Sequence, residues 1–330
     1  MRSRLLKSFA LFALLATVFV GCKREPTYKV LVTATEGGTV KGQNGKYKKG
    51  DTVVFRAVPA DGYYFNKWSD GNYYNPRKIA IDTSNVAISA EFVDATLPLV
   101  DLGLSSGTLW ATCNLGAENP WDYGNYYAWG ETETKDVYSW ETYKHCKGSY
   151  KTLTKYCYKP IFSIIYKHGP EYGFKGYTDA LKTLLPEDDA ATIVLGSDYS
   201  IPAVDDWYEL GSQCHWVWTA NYNNQGVYGY IVYKAKAEDD KGTINGDAYY
   251  VTPSAFYSMK DAHIFLPAAG FRTDSMPAYH GRFGYYWSAS LFDEYNTCEA
   301  YLCLFDNVSL FLSSHHNRLY GYSVRPVQRK

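Results

Sequence analysis

The sequence contains little methionine, it is almost neutral, and it has few long apolar runs. Its 330 residues include three methionines, and its formal net charge is −1. No His-Glu-x-x-His pattern occurs, which excludes the zincin type of metal helix. After the N-terminus, no apolar segment reaches the roughly 20 residues that span a bilayer. Proteins that bind nucleic acid carry an excess of basic residues. This sequence is close to neutral, so no nucleic-acid partner is expected.

The N-terminal segment resembles a bacterial lipoprotein signal. MRSRLLK carries three basic residues, an apolar run of about 14 residues follows, and Cys22 stands directly after Gly21. The apolar run is too short for a transmembrane helix, so a signal peptide over 1–21 is preferred to a membrane anchor. The resemblance implies that Cys22 is lipidated and that 22–27 form an acylated tether to the membrane.

Composition favours an exported, β-rich protein with many loops. Removing 1–21 takes three positive charges and no negative one from a chain of charge −1, so the mature chain carries −4. About 309 residues remain, enough for two domains. The abundance of tyrosine (33) and tryptophan (9) is typical of strands and of ligand grooves. Six cysteines follow Cys22, and their irregular spacing assigns no disulfide pairing: Cys113, Cys146, Cys157, Cys214, Cys298 and Cys303.

Residues 28–93 are predicted to form a small all-β module. YKVLVTAT alternates apolar and polar residues, and Asp-Gly pairs at 61–62 and 70–71 predict hairpin turns. The order GG-x-V, GD-x-V, GYxFxxWSDG and ISAEF resembles the divergent InlB B-repeat family, which implies an extracellular spacer or surface module. Its aromatic side chains are predicted to pack in the core instead of forming a binding face: Tyr63, Phe65 and Trp68.

A linker over 94–98 leads into a larger unit over 99–330. A long insertion covers roughly 136–186, and its end has helical spacing in YTDALKTLL, with Thr178 as the N-cap. Two further helices are predicted, in PEDDAATIVLG and in AVDDWYELGSQ, and Gly211 is expected to stop the second one.

Short β-like runs then continue to the C-terminus, among them CHWVWTA, GVYGYIVYKA, FGYYWSAS and CEAYLCLFDN. Pro267 in AHIFLPAAGFR predicts an edge or irregular strand.

Several motifs of this unit resemble one family. DLGLSSGTLWATCNLGA, AWGE, SIPAVDDWYEL, FLPAAGFR, YYWSAS and GYSVRPV occur in the order typical of the Fibrobacter succinogenes major paralogous domain. That family is similar to the formylglycine-generating enzymes, whose fold is C-type-lectin-like. The expected fold is therefore a small all-β module followed by an α+β C-type-lectin-like domain.

Several catalytic and metal-binding chemistries find no support in the residues. GYYWSAS has no nucleophile elbow and no local base. The tripeptides by which C-type lectins bind calcium and sugar are missing, and no spacing selects a carboxylate pair for glycoside hydrolysis. Neighbouring His315 and His316 would point to opposite faces of a strand, and LSSHHNRLYG is interpreted as a solvated loop. No metal and no cofactor are expected.

Cys298 and Cys303 carry the one enzymatic alternative. In the formylglycine-generating enzymes two late cysteines bind copper and activate oxygen, and the resemblance implies that role for this pair. On a regular strand, however, residues five apart point to opposite faces, and a β-bulge would be needed to bring both sulfurs together. Two small apolar residues in a strand are therefore the preferred interpretation.

The resemblances imply a cell-envelope lipoprotein of a Bacteroidota-type bacterium, lipid-anchored at the outer membrane, with exposure at the cell surface left open. It is expected to be a non-catalytic binding or adhesion module for a glycan or a protein. Such heads bind through loops on a rigid scaffold, here the insertion and the segment 273–284. The candidate ligand-binding residues are Trp121, Trp140, Tyr143, Tyr279, His280 and Arg282. A copper-dependent oxidase and a purely structural surface component remain alternatives.

Overall fold

The structure of the protein is a computed structural model. It describes residues 25–60, 62–72, 74–94, 96–157, 179–237, 243–245, 248–250, 257–292 and 298–329. Strands dominate these residues, and none of the helices they contain is long and apolar enough to cross a bilayer. Cys22 and Thr178 lie outside the described residues.

The first module consists of two sheets with a core between them. Its strands are β1 Thr27–Ala34, β2 Gly38–Lys41, β3 Gly45–Lys48, β4 Thr52–Pro59, β5 Tyr63–Trp68, β6 Arg77–Ala80 and β7 Val86–Asp94. One sheet has the order β3-β1-β7-β5 and the other the order β2-β4-β6, with β1 and β7 parallel.

Side chains along the strands of this module alternate between buried and exposed positions, and the buried ones form its core. Val30 and Val32 of β1 are buried while their neighbours face water, and Trp68 of β5 is fully buried, as predicted. Tyr63 and Phe65 pack against the same core. The predicted hairpins are wrong, because β4 and β5 belong to different sheets, as do β5 and β6. The chain therefore passes from one sheet to the other between β4 and β5, and again between β5 and β6.

The second domain is built from many short strands. They are β8 Leu99–Asp101, β9 Leu109–Ala111, β10 Tyr126–Tyr127, β11 Tyr199–Ser200, β12 Cys214–Thr219, β13 Gly229–Lys234, β14 Thr243–Asn245, β15 Ala248–Tyr250, β16 His263–Pro267, β17 Phe271–Thr273, β18 Met276–Ala278, β19 Gly284–Leu291, β20 Glu299–Phe305, β21 Leu310–Asn317, β22 Tyr322–Ser323 and β23 Val327–Gln328. Its helices are α1 Ala190–Leu195 and α2 Val204–Gln213, with 3-10 turns at Tyr150–Thr152, Pro186–Asp188 and Tyr222–Asn224.

Four sheets organise these strands in the described part of the domain. The largest has the order β10-β22-β19-β20-β21-β15-β14, and β11-β23-β9-β8 joins the two ends of the domain. The order β12-β13-β16 makes β16 an edge strand, as Pro267 predicts, and β17 pairs with β18 in a hairpin.

The largest sheet carries a buried cluster on each of its faces. Along β20, Ala300 and Leu302 pack in one cluster, and Cys303 and Phe305 pack in the other. The first cluster also contains residues of α1, and the second contains Trp207 of α2. A strand that is buried on both faces has a continuous apolar sequence, as AYLCLF at 300–305 does.

Local chemistry explains both helices. The Asp189 side chain caps α1 by accepting from Thr192 N at 3.0 Å. Asp206, at the third position of α2, accepts from Ala203 N at 2.6 Å. Gly211 does not stop α2, which continues to Gln213. It serves close packing instead, because a Cβ there would lie 2.3 Å from Leu312 Cδ1.

Three sequence expectations for this domain are wrong. Residues 179–185 of the predicted helix are not helical, and Thr183 forms an isolated bridge with Ser290. His315 and His316 lie in β21, not in a solvated loop. The described parts of the insertion are largely core: Tyr138, Tyr143, Leu153, Tyr156 and Cys157 are all buried.

A buried arginine near the C-terminus ties three segments together. Arg325 Nε donates to Asn114 Oδ1 at 3.0 Å, Nη1 to Ala111 O at 2.9 Å and Nη2 to Phe265 O at 2.6 Å. The arginine in GYSVRPV, near the end of the domain, therefore satisfies acceptors from its start and its middle.

The two modules are in direct contact. Tyr64 of β5 is buried in the first core cluster of the second domain, together with Leu97. Asn66 Nδ2 donates to Glu118 Oε1 at 2.6 Å. Apolar and polar contacts together hold the modules side by side, and a cleft opens along their boundary.

Candidate ligand-binding cleft between the two modules

A cavity of about 850 Å³ lies between the first module and the second domain, and we call it the inter-module cleft. The first module contributes the segment after β5, including Asn72 and Tyr74. The second domain contributes the loop 116–126 together with Arg272 and His280. Its volume is in the range of cavities that bind small ligands.

Glycines shape the loop that forms one wall of the cleft. Gly116 and Gly124 have φ of +80° and +71°, in the left-handed region that favours glycine. A Cβ on Gly116 would lie 2.2 Å from Asn125 Nδ2, and one on Gly124 would lie 2.7 Å from Leu115 O. Asn114 Nδ2 donates to Tyr123 O at 2.9 Å and fixes the loop to the Arg325 network.

An arginine between two tyrosines forms the floor of the cleft. The Arg272 guanidinium lies 5.4 Å from the ring centroid of Tyr74 and 5.6 Å from that of Tyr126. Its Nη1 also donates to the Tyr74 hydroxyl. Because Tyr74 belongs to the first module, this cation contact is a second bond across the boundary.

His280 lies against the same tyrosine. Tyr126 donates its hydroxyl proton to Ala269 O at 2.6 Å, so the 3.2 Å contact with His280 Nε2 requires the imidazole to donate. Burial, and secondarily the positive charge of Arg272, lower the pKa of His280. A neutral ring that donates from Nε2 keeps Nδ1 as a hydrogen-bond acceptor.

Carboxylates of the cleft are occupied by neighbouring groups. Glu118 accepts from Asn66 and lies 3.6 Å from Lys67 Nζ. Asp122 accepts from Asn119 N at 2.8 Å and from its Nδ2 at 3.1 Å. The cleft therefore offers aromatic faces, amides and one arginine, while its carboxylates Glu118 and Asp122 are bonded to neighbouring groups.

The structure brings part of the predicted set of ligand-binding residues together. Trp121 is partly buried and lines the cleft, as does His280. Tyr279 and Arg282 are exposed on the adjacent loop but do not line the cleft. Tyr279 has φ +59° and packs against Phe271 and Phe283.

Two of the candidates are placed elsewhere. Tyr143 is 2% exposed and donates its hydroxyl to Trp129 O at 2.8 Å, so it is a core residue and not a ligand contact. Trp140 is partly buried against Tyr143 and Tyr150. Sequence reasoning missed Tyr74 and Arg272, because only the docking of the modules brings them together across 198 positions.

Cys298 and Cys303 do not form a common site. β20 contains no extra residue between Ala300 and Phe305, since its irregular pairings place the additional residues on β19 and β21. Cys298 packs in a cluster with Tyr126 and Leu153, whereas Cys303 packs on the other face of the large sheet. Burial raises the pKa of Cys298 to about 12 and that of Cys303 well above its ordinary value. Both groups are therefore protonated thiols, which disfavours the copper interpretation.

Asp188 lies at the centre of a buried network of charged and polar side chains. Its carboxylate accepts from Lys144 Nζ at 2.9 Å, from Lys155 Nζ at 2.6 Å and from the Tyr156 hydroxyl at 2.8 Å. His145 Nε2 lies 3.6 Å away and bonds Gly130 O at 2.7 Å. Asp188 therefore stabilises the packing of the segments around it, and Lys155 Nζ links it to Glu187 at 3.1 Å.

One motif was overlooked at the sequence level. Gly103–Gly107 fits the Gly-x-Ser-x-Gly pattern of a nucleophile elbow. It forms a turn between β8 and β9, not between a strand and a helix. Ser105 Oγ bonds Gln213 Oε1 at 2.9 Å and Ser106 bonds Glu209, so the structure shows no histidine base at either hydroxyl. No group of three or more metal-ligating side chains forms in the described ranges.

Comparison with known proteins identifies one part of the chain. Residues 28–96 match the model of the divergent InlB B-repeat domain family, so the first module is such a domain. The match extends three residues beyond the predicted boundary at 93. No curated protein and no solved structure matches the chain.

Proposed function

We propose that the chain is a lipid-anchored protein of the cell envelope of a Bacteroidota-type bacterium, and that it binds a saccharide without catalysing a reaction. The basic and apolar segments before Cys22 support export and lipidation. The outer membrane is the proposed location. The B-repeat domain would serve as the spacer that holds the larger domain away from the lipid.

The larger domain is proposed to have the C-type-lectin-like fold. The ordered motifs from DLGLSSG to GYSVRPV support this proposal. So does the pairing of β23 with β9, which joins the two ends of residues 99–330 in one sheet. The B-repeat domain is not a passive spacer in this proposal, because Tyr74 completes the cleft.

The inter-module cleft is the observation that carries the proposed function. Tyr74, Trp121 and Tyr123 offer aromatic faces, which suit the apolar C–H face of a sugar ring. Asn72 and Asn119 offer amides that can both donate to and accept from hydroxyl groups. The site is concave, which favours a small or chain-like saccharide over the broad surface of a protein partner.

The test is a saccharide-binding screen of the mature chain purified in detergent. Binding should be found, and Trp121→Ala should weaken it about 5- to 30-fold, equivalent to about 1–2 kcal/mol for a central aromatic contact. Tyr279→Ala is the matched control, since it removes an exposed aromatic ring from the neighbouring loop without changing the cleft. Trp121→Phe keeps an aromatic ring and should recover part of the affinity.

Two results would refute the proposal. A flat response to a broad panel of glycans would favour a purely structural surface component. Loss of affinity in Tyr279→Ala with no loss in Trp121→Ala would place the binding surface on the 273–284 loop instead of in the cleft.

A further inference from the structure

Arg272 differs from the other cations near the module boundary. Lys67 lies 3.6 Å from Glu118 and 3.9 Å from Glu91. Arg56, in a second cleft across the boundary, pairs with Glu133. In the part of the chain that the structure describes, Arg272 forms no ion pair with an acidic side chain, and its one side-chain hydrogen bond is to a tyrosine hydroxyl.

The position of this charge is unusual for an unpaired arginine. The guanidinium is partly withdrawn from water between the Tyr74 and Tyr126 rings, where an ionic interaction is stronger than at an open surface. A guanidinium has five N–H donors, and the Tyr74 hydroxyl takes one of them. No Arg272 nitrogen is buried without a partner, so its remaining donors are accessible from the cleft.

Neighbouring groups respond to this charge without neutralising it. Arg272 contributes to lowering the pKa of His280, and its charge favours the ionised form of Tyr126, although burial dominates the pKa of both groups. The Arg272 guanidinium therefore lies among the aromatic rings of Tyr74 and Tyr126, with His280 beside the second of them. Among the described residues no acidic side chain forms an ion pair with Arg272, and the two carboxylates that also line the cleft, Glu118 and Asp122, are bonded to other groups.

We infer that the inter-module cleft selects an acidic saccharide, a sugar that carries a carboxylate, and that Arg272 binds this carboxylate. The inference rests on the proposed saccharide-binding function and adds the class of sugar. A planar guanidinium matches a carboxylate with two parallel hydrogen bonds, which gives direction as well as attraction. The aromatic faces would hold the ring while Arg272 holds the acidic substituent.

The experiment compares saccharides that differ only in charge. The mature chain in detergent is titrated with sialyllactose against the methyl ester of its sialic acid carboxylate, and with oligogalacturonate against its methyl ester. The acidic member of at least one pair should bind 10-fold or more tightly than its neutral match, and the preference should weaken as salt is added.

Variants separate the charge of Arg272 from its structural contact. Arg272→Gln should remove the preference for the acidic member, and Arg272→Lys should restore part of it. Tyr74→Phe removes the hydroxyl that Arg272 bonds while keeping the ring and the charge, so the preference should survive. Arg282→Gln removes the same charge from the adjacent loop outside the cleft and should change nothing.

The outcomes distinguish this inference from the proposed function. Equal affinity for acidic and neutral members, or a preference that persists in Arg272→Gln, overturns the inference while saccharide binding stands. Binding of a polyglutamate peptide as tightly as the acidic sugars also overturns it, because charge alone would then suffice. Failure of every saccharide to bind overturns both.

Discussion

Arg325→Met should destabilise the second domain more than any surface change. The substitution keeps a long apolar stem but removes the donors that bond Asn114 Oδ1, Ala111 O and Phe265 O. Each buried acceptor left without a partner is destabilising by about 1–3 kcal/mol, so simple addition gives about 3–9 kcal/mol. Relaxation and water recover part of this, and losses above about 5 kcal/mol are exceptional. The expected decrease in the free energy of unfolding is therefore about 3–5 kcal/mol.

The assay is urea unfolding of the mature chain followed by tryptophan fluorescence, with the midpoint converted to free energy. Arg282→Gln is the control, because Arg282 is exposed on a loop of the same domain, where a substitution should change the free energy of unfolding by about 0.5 kcal/mol or less. Asn114 also holds Tyr123 O, so Arg325→Met should loosen the cleft wall and weaken saccharide binding. A decrease below about 1 kcal/mol would refute the reasoning, since unpaired buried acceptors would then be nearly without effect.

Three further predictions concern other residues. Cys298 and Cys303 should be alkylated at least about 100-fold more slowly in the native chain than in urea, because burial raises the pKa of Cys298 from 9 to about 12. Site-resolved mass spectrometry measures the alkylation rate of each cysteine, and rapid labelling of the native chain would contradict the prediction. Burial lowers the pKa of His145 from 6.5 to about 4, so the unfolded chain takes up the proton first. The contribution of neutral His145 to the free energy of unfolding should be complete above pH 6.5. It should decrease by about 3 kcal/mol as the pH decreases towards 4. The free energy of unfolding of wild type and of His145→Gln, measured across this pH range, tests the prediction. Equal slopes of this free energy against pH in the two proteins would contradict it. Cys22→Ala should abolish acylation and release the chain from the membrane fraction, whereas continued membrane retention would refute lipidation.

Local signals in the sequence predicted the elements that local physics determines. The alternation in YKVLVTAT gave β1, and the acids before AATIVL and WYEL gave the starts of α1 and α2. The five-residue spacing of Cys298 and Cys303 predicts opposite faces of a regular strand, and the two side chains pack in different buried clusters.

Tertiary contacts decided the rest. Residues 179–185 have helical spacing, yet Leu184 N donates to Ala289 O and the segment runs alongside β19. Tyr143 looked like a loop aromatic but fills the core. The cleft itself was beyond sequence reasoning, because Tyr74 and Arg272 meet only when two separately folded modules dock.

The most direct test of the central claim is a crystal structure of the mature chain with a saccharide that it binds. The account predicts sugar density in the inter-module cleft, with a ring against Trp121 or Tyr74 and an acidic group within hydrogen-bond distance of Arg272. Density against Tyr279 on the outer loop, or in the cleft beside Arg56, would contradict it.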